Sequence, residues 1–272
     1  MSDAETGVHH KRSGGWVAVR RVIWGLAVAA LGIVLVISAN IGLSATSAAP
    51  KPPESSPDLR PATQSQVTKI MPLGDSITGS PGCWRSLLWN ELAANDYEGV
   101  DFVGSLKSVP CGKEFDGDHQ GIRGLRAADA ATNAKFAASF RSYRHDIVLM
   151  HFGTNDIWHG DPRAKSILNA YSTLLKQLRA ANPKVTLLVS QLIPMKPKGC
   201  ADCMDNVASL NTRIPDWVRD SGTKQSPVIA VDQWTGFDAV GDTRDGVHPN
   251  GSGTKKIAAN WMEALRPILD NR

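Results

Sequence analysis

Five short apolar runs separated by helical patterns are the feature that most limits how this chain can fold. They are "VTKIMPL" (67–73), "VDFVGS" (100–105), "DIVLMHF" (146–152), "KVTLLVSQLI" (184–193) and "PVIAVD" (227–232). Such runs suit strands buried on both faces. Between them lie helical spacings, with Leu87, Leu88, Glu91 and Leu92 after the first run and Ile167, Leu168, Tyr171, Leu174, Leu175 and Leu178 after the third. Met204 to Ser221 also reads as helix, broken or restarted at Pro215. A last helix is expected after "NGSG", carrying Ile257, Trp261 and Leu265. Strand and helix alternating in this way predict an α/β fold, a three-layer α/β/α sandwich around a five-stranded parallel sheet.

In an open parallel sheet, working residues collect on the loops beyond the carboxyl ends of the strands. "GDSIT" follows the first predicted strand, "GDHQGIRG" lies beyond the second, "GTND" follows the third and "DTRDGVHPNG" lies beyond the fifth. All four fall on one edge of the sheet. Turn-forming residues alone would be as common at the other edge, where only "AANP" and "RDSG" stand.

The four clusters supply complementary chemistry. A serine hydroxyl is a weak nucleophile at neutral pH and needs a neutral imidazole to take its proton, with a carboxylate to orient the ring. Ser76 offers the hydroxyl, and "DGVH" places Asp245 and His248 three residues apart, so that one turn can present both. An oxyanion requires donors fixed in advance. The Asn155 side chain, the Ser76 N–H and the N–H of Gly124, or of Gly121, can provide them. Asp156 and His159 in "NDIWH" are spaced like Asp245 and His248 and form a rival pair. Asp75 is expected to shape the nucleophile turn, and His119, His145 and His151 to be structural or solvated. Trp84 and Trp158 lie near the expected site, where they could stack on sugar rings or belong to the core. G-x-S-x-G, H-E-x-x-H and G-x-x-x-x-G-K motifs are absent, and no cofactor or metal is implied.

"GDSIT", the glycine loop, "GTND" and "DGVHPN" occur in the order and rough spacing of the SGNH or GDSL hydrolases, which the chain resembles from 67 to 272. "IMPLGDSITGSPGCWRSLLW" and "FDAVGDTRDGVHPNGSG" are most similar to the secreted carbohydrate esterases, particularly acetylxylan esterases of family three. That resemblance implies the flavodoxin-like form of the sandwich, a catalytic set of Ser76, Asp245 and His248, and an oxyanion hole of Ser76, Gly124 and Asn155. It implies deacetylation of a polysaccharide such as acetylated xylan, or of a small ester. The same mechanism would serve a lipase or thioesterase, and a glycan-binding module would need only the fold. The second block departs from that group, reading Gln120-Gly121-Ile122 where Glu-Gly-His is common.

The remaining features concern placement. Arg20-Arg21 precede an uncharged stretch, Val22–Pro50, whose densest apolar part is the 16 residues from Val22 to Ile37. This predicts an export signal over 1–49, cleaved at Ala45-Thr46-Ser47 or Ser47-Ala48-Ala49, or kept as an anchor. Five prolines within 50–66 mark an extended linker, leaving 67–272 as the catalytic domain. The domain is then expected outside the cytoplasm, meeting the membrane only through the N-terminal segment. From 67 onward there are 24 basic and 22 acidic residues, so no basic domain remains to attract nucleic acid. A monomer is expected. Four cysteines in an oxidising compartment predict two disulfides in one of three connectivities. The favoured one joins Cys83 to Cys111 and Cys200 to Cys203. "CADC" also suits a redox pair, but no second redox feature accompanies it, and zinc would need further ligands.

Overall fold

The computed structural model describes residues 67–272 apart from Ser80, Glu98, Val109, Pro110, Lys113 and Glu114. The export segment and the linker lie outside the described residues. Among those described, no helix is long and apolar enough to cross a membrane.

The expected parallel runs form β1 (Thr68–Gly74), β2 (Val100–Phe102), β5 (Ile147–His151), β6 (Thr186–Ser190) and β7 (Val228–Val231). Neighbours run β1-β5-β6-β7, with Ile70 opposite Ile147, Val148 opposite Leu187 and Leu188 opposite Ile229. Alternate side chains enter opposite layers. Met71, Leu73, Val148, Met150, Leu187 and Val189 meet one core, while Ile70, Ile147, Leu149, Leu188 and Val231 meet the other.

Helices α3 (Ala127–Thr132), α4 (Ala134–Ser142), α6 (Ala164–Ala181) and α7 (Cys203–Asn211) cover the first face through Ala127, Phe136, Phe140, Tyr171, Leu174 and Leu210. Helices α2 (Trp84–Ala94) and α9 (Gly251–Leu269) cover the second, where Trp84 and Trp261 lie 5.9 Å apart between ring centres. The three layers are those expected.

Among the described residues the sheet has seven strands rather than five. β3 (Leu106–Lys107) pairs antiparallel with β4 (Asp118–Gly121), and β4 pairs parallel with β1 through Leu73–Gln120 and Gly74–Gly121. β2 pairs with β1 lower down, at Thr68–Ile70, so β2 and β4 share one lane beside β1. The first half of "GDHQGIRG", expected as a loop, is therefore strand. Its short polar sequence has no apolar alternation, and pairing with β1 decides its conformation. Pro215 restarts the chain as expected, in the first turn of α8 (Ile214–Ser221). α9 begins earlier than expected, because Asn250 caps it by accepting from the N–H groups of Ser252 and Gly253 at 2.9 and 3.2 Å.

Candidate active site

β1 ends at Gly74, and Asp75 turns the chain into a one-turn helix, α1 (Ser76–Gly79). The carboxylate of Asp75 accepts the Ile77 N–H at 2.9 Å, and the Asp75 carbonyl accepts the Gly79 N–H at 2.9 Å. This places Ser76 at the start of the turn, above the carboxyl end of the central strand. Burial pushes the Asp75 carboxyl up to about 7. Beneath the turn, Trp84 donates its indole N–H to the Ile77 carbonyl at 3.0 Å and Arg85 its Nε–H to the Thr78 carbonyl at 2.9 Å. Arg85 is fully buried and also reaches Gly117 and Ser108, tying α1 to the segment before β4. Trp84 is 1 % exposed, so it belongs to the core and is not a sugar platform.

Ser76 Oγ lies 2.9 Å from His248 Nε2, across 172 residues of sequence. His248 Nδ1 lies 2.7 Å from Asp245 Oδ2. The other Asp245 oxygen accepts the Val247 and His248 N–H groups at 3.0 and 2.8 Å. Burial alone would raise the Asp245 carboxyl. The hydrogen bonds from His248 and Val247 outweigh that and hold it below the ordinary value. An ionised Asp245 selects the tautomer with the proton on Nδ1, which leaves the Nε2 lone pair facing Ser76. Gly246 makes the turn possible. Its φ is 83°, and a methyl there would overlap the Lys196 carbonyl.

The two candidate glycines separate cleanly. Gly121 packs backbone to backbone against Gly79, and its N–H donates to His119 Nδ1 at 3.0 Å. Gly124 sits in an exposed turn at φ 71°, and its N–H has no partner among the described residues. Asn155 opens α5 (Thr154–His159) after Gly153, and its side-chain amide donates to the Leu125 carbonyl at 3.3 Å. It therefore reaches across to the loop that carries Gly124 and does not cap its own turn. Ser76 and Asn155 are each 7 % exposed.

The rival Asp156–His159 pair is not formed. Asp156 accepts the N–H groups of Ala127 and Ala128 at 2.7 and 3.1 Å, fastening the first turn of α3 behind the Gly124 loop. Burial raises its carboxyl. His159 is exposed and stacks on Trp158 at 4.4 Å. Asp156→Ala strands two backbone donors and should cost about 1–3 kcal/mol in denaturant unfolding. Asp156→Asn, which keeps an acceptor, should cost less. Equal losses in the two variants would show that the carboxamide cannot replace this contact.

His119, His145 and His151 are 3 %, 1 % and 1 % exposed, so all three are interior. Cys83 is bonded to Cys111 and Cys200 to Cys203, with Cα separations of 5.4 and 5.5 Å. The first bond ties the start of α2, just after the Ser76 turn, to the segment between β3 and β4. Among the described residues no cluster of His, Cys, Asp and Glu could hold a metal ion.

The recess at Ser76 and His248 is small, about 10 Å³, and is walled by Pro81, Cys83, Pro249 and Thr254. It lies beside an open cavity of about 420 Å³ lined by Pro81, Arg123, Arg244, Asp245 and His248. A larger hollow of about 750 Å³ lies at the opposite edge of the sheet, around Val67, Tyr97, Asp146 and Arg272, away from this chemistry. Sequence reasoning singled out neither Arg123 nor Arg244. Both stand inside the polar blocks, so the signal was present, but a charged residue in a loop does not announce what it faces.

The model of the GDSL-like lipase/acylhydrolase family matches residues 73–256. A carbohydrate esterase of family 3 from Talaromyces cellulolyticus is 37 % identical, with a TM-score of 0.69, covering 75 % of this chain and 99 % of that one. An acetyl esterase variant solved with an acetate ion is 36 % identical, with a TM-score of 0.68 and the same coverage. The family 3 carbohydrate esterase of Clostridium thermocellum is 28 % identical, with a TM-score of 0.61, covering 75 % and 98 %. A multidomain esterase of Ruminococcus flavefaciens is 28 % identical over 228 residues, which are 74 % of this chain but only 29 % of that protein. The chain thus spans less than a third of the curated relative that it matches.

Proposed function

We propose, from the premise that the chain belongs to the GDSL-like lipase/acylhydrolase family, that it is an exported serine esterase removing acetyl groups from a polysaccharide such as acetylated xylan. Membership places it among the carboxylic ester hydrolases. The observation that carries the finer reading is the hydrogen-bonded line from Ser76 through His248 to Asp245 at the carboxyl edge of the sheet.

In this reading His248 Nε2 takes the hydroxyl proton as Ser76 Oγ bonds to the acyl carbon. The oxyanion meets the N–H groups of Ser76 and Gly124 and the Asn155 amide. His248 then returns the proton to the leaving sugar oxygen as the ester C–O bond breaks. Water attacks the acyl-enzyme by the same route, releasing acetate and restoring Ser76. Asp245 keeps the ring in its tautomer and favours the imidazolium that forms. The open cavity beside Ser76 supports a short acyl group, since a long chain lying there would keep its methylenes in water. The similarity to acetyl and family 3 carbohydrate esterases supports the same choice. Export rests on residues 1–66 of the sequence.

Turnover of 4-nitrophenyl esters from acetate to octanoate, set beside acetate release from acetylated xylan, tests this. Acetate should be the best of the series, with a decline of at least about tenfold by octanoate. A preference for octanoate would instead identify a lipase, and no turnover of any ester would sink the reading.

A further inference from the structure

We propose that the ester substrate carries a carboxylate close to the acyl group, and that Arg123 and Arg244 bind it. The proposal rests on the reading of Ser76 as the nucleophile and adds a substrate class to it, an acylated acidic saccharide of the uronate kind.

Arg123, Arg244, Asp245 and His248 line one cavity of about 420 Å³. Neither arginine side chain has a hydrogen bond or a carboxylate partner among the described residues, whereas Arg126, Arg163 and Arg219 each pair with a nearby aspartate. The carboxylate of the cavity, Asp245, is bonded to His248 and Val247 and makes no contact with either guanidinium. With Arg123, Arg244 and the ionised Asp245 along its lining, the cavity carries an excess of one positive charge, and neither guanidinium is paired.

Their backbones are fixed even though their side chains are exposed. Arg244 donates its N–H to the His248 carbonyl at 2.9 Å, and Arg123 sits within the turn closed by Leu125 N–H on the Ile122 carbonyl at 3.2 Å. One arginine is thus built into the loop of the candidate base and the other into the loop of the candidate oxyanion donor. A bound carboxylate would be read from both sides of the reacting ester. Guanidinium forks match the planar carboxylate, and two of them select it over a neutral hydroxyl.

The arrangement also bears on turnover. Attack converts His248 to an imidazolium, which Asp245 stabilises but which the two guanidiniums of the same cavity repel. A substrate carboxylate between them relieves that repulsion when the imidazolium forms, so part of its benefit should fall on kcat.

The full chain is assayed on acetylated methyl glucuronoside as the free acid and as its uncharged methyl ester, with 4-nitrophenyl acetate in parallel. The free acid should have the higher kcat/KM by about tenfold or more, and the advantage should shrink as salt rises. Arg123→Gln and Arg244→Gln should each cut the acid-to-ester ratio several-fold, and together abolish it. Arg144→Gln, an exposed arginine at the far edge of the sheet, should leave the ratio as it was. Equal rates on acid and methyl ester, or a ratio unmoved by both substitutions, would overturn the proposal while turnover of 4-nitrophenyl acetate kept the esterase reading intact. A matching preference for an acetylated sugar phosphate over the uronate would also overturn it, in favour of a phosphate-bearing substrate. Absence of 4-nitrophenyl acetate turnover would instead indict the nucleophile.

Discussion

Ser76→Ala and His248→Ala should each lower kcat on an acetate ester by at least about a thousandfold while leaving the fold in place. The expectation comes from the 2.9 Å contact between Ser76 Oγ and His248 Nε2, since losing either partner leaves only the oxyanion donors and substrate binding. The double variant should fall little further, because the two residues act as one unit. Asn155→Ala removes one donor and keeps the nucleophile, so a loss of about a hundred- to a thousandfold is expected. His159→Ala is the control, since that ring is exposed and stacked on Trp158. Steady-state kinetics with far-UV circular dichroism would decide the matter. Normal activity in Ser76→Ala, or a loss in His159→Ala that His248→Ala does not share, would refute the assignment.

The second large effect concerns stability in acid. Burial holds the imidazoles of His151 and His119 down to about 4, with the charge of Arg85 adding to the effect at His119. The unfolded chain takes up the same protons near 6.5. Because these folded values are depressed, their stabilisation is full above about 6.5 and is lost as pH falls through about 4. Asp75 works in the opposite sense. Its value is raised from 3.8 to about 7, so its contribution is full below 3.8 and is lost as pH rises through about 7.

Between about 6.5 and 4 these three groups hold close to two protons in the unfolded chain, both on the imidazoles, and close to one in the folded chain, on Asp75. Their combined contribution to the slope is near one proton, or about 1.4 kcal/mol per pH unit, and amounts to roughly 3 kcal/mol across the window. Urea unfolding at several values in that range should show stability falling with acid. His151→Leu should flatten the profile, and Asp75→Asn should steepen it towards two protons. A slope that His151→Leu leaves unchanged would show that this ring is not the source.

The layered architecture was legible because its cause is local. Apolar runs long enough for strands alternated with amphipathic helices, and two-sided burial follows from that pattern wherever it occurs. Placement of Ser76, Asn155 and His248 on one edge followed from the same rule, since Ser76 and Asn155 stand just beyond a strand and His248 in the segment that follows the last one. β4 was not legible. Asp118, His119, Gln120 and Gly121 carry no strand pattern, and they become strand because β2 leaves the upper half of β1 unpaired.

The available chemistry was written in the chain: a serine, an imidazole, a carboxylate and amide donors in segments that follow strands of the sheet. Their types and order are covalent facts that no fold can alter. Partnership among these groups came from folding. Two Asp-x-x-His pairs shared one spacing, with Asp245 and His248 the favoured one, and the structure spends Asp156 on the N–H groups of α3 while turning Asp245 to His248. Two glycines could supply an oxyanion donor, and packing against Gly79 with a bond to His119 removes Gly121. Two arginines with no role assigned from the sequence are brought to one cavity by their loops. In each case the deciding contact joins residues far apart in the chain, and a hydrogen bond or a charge pair depends on separations that only folding creates.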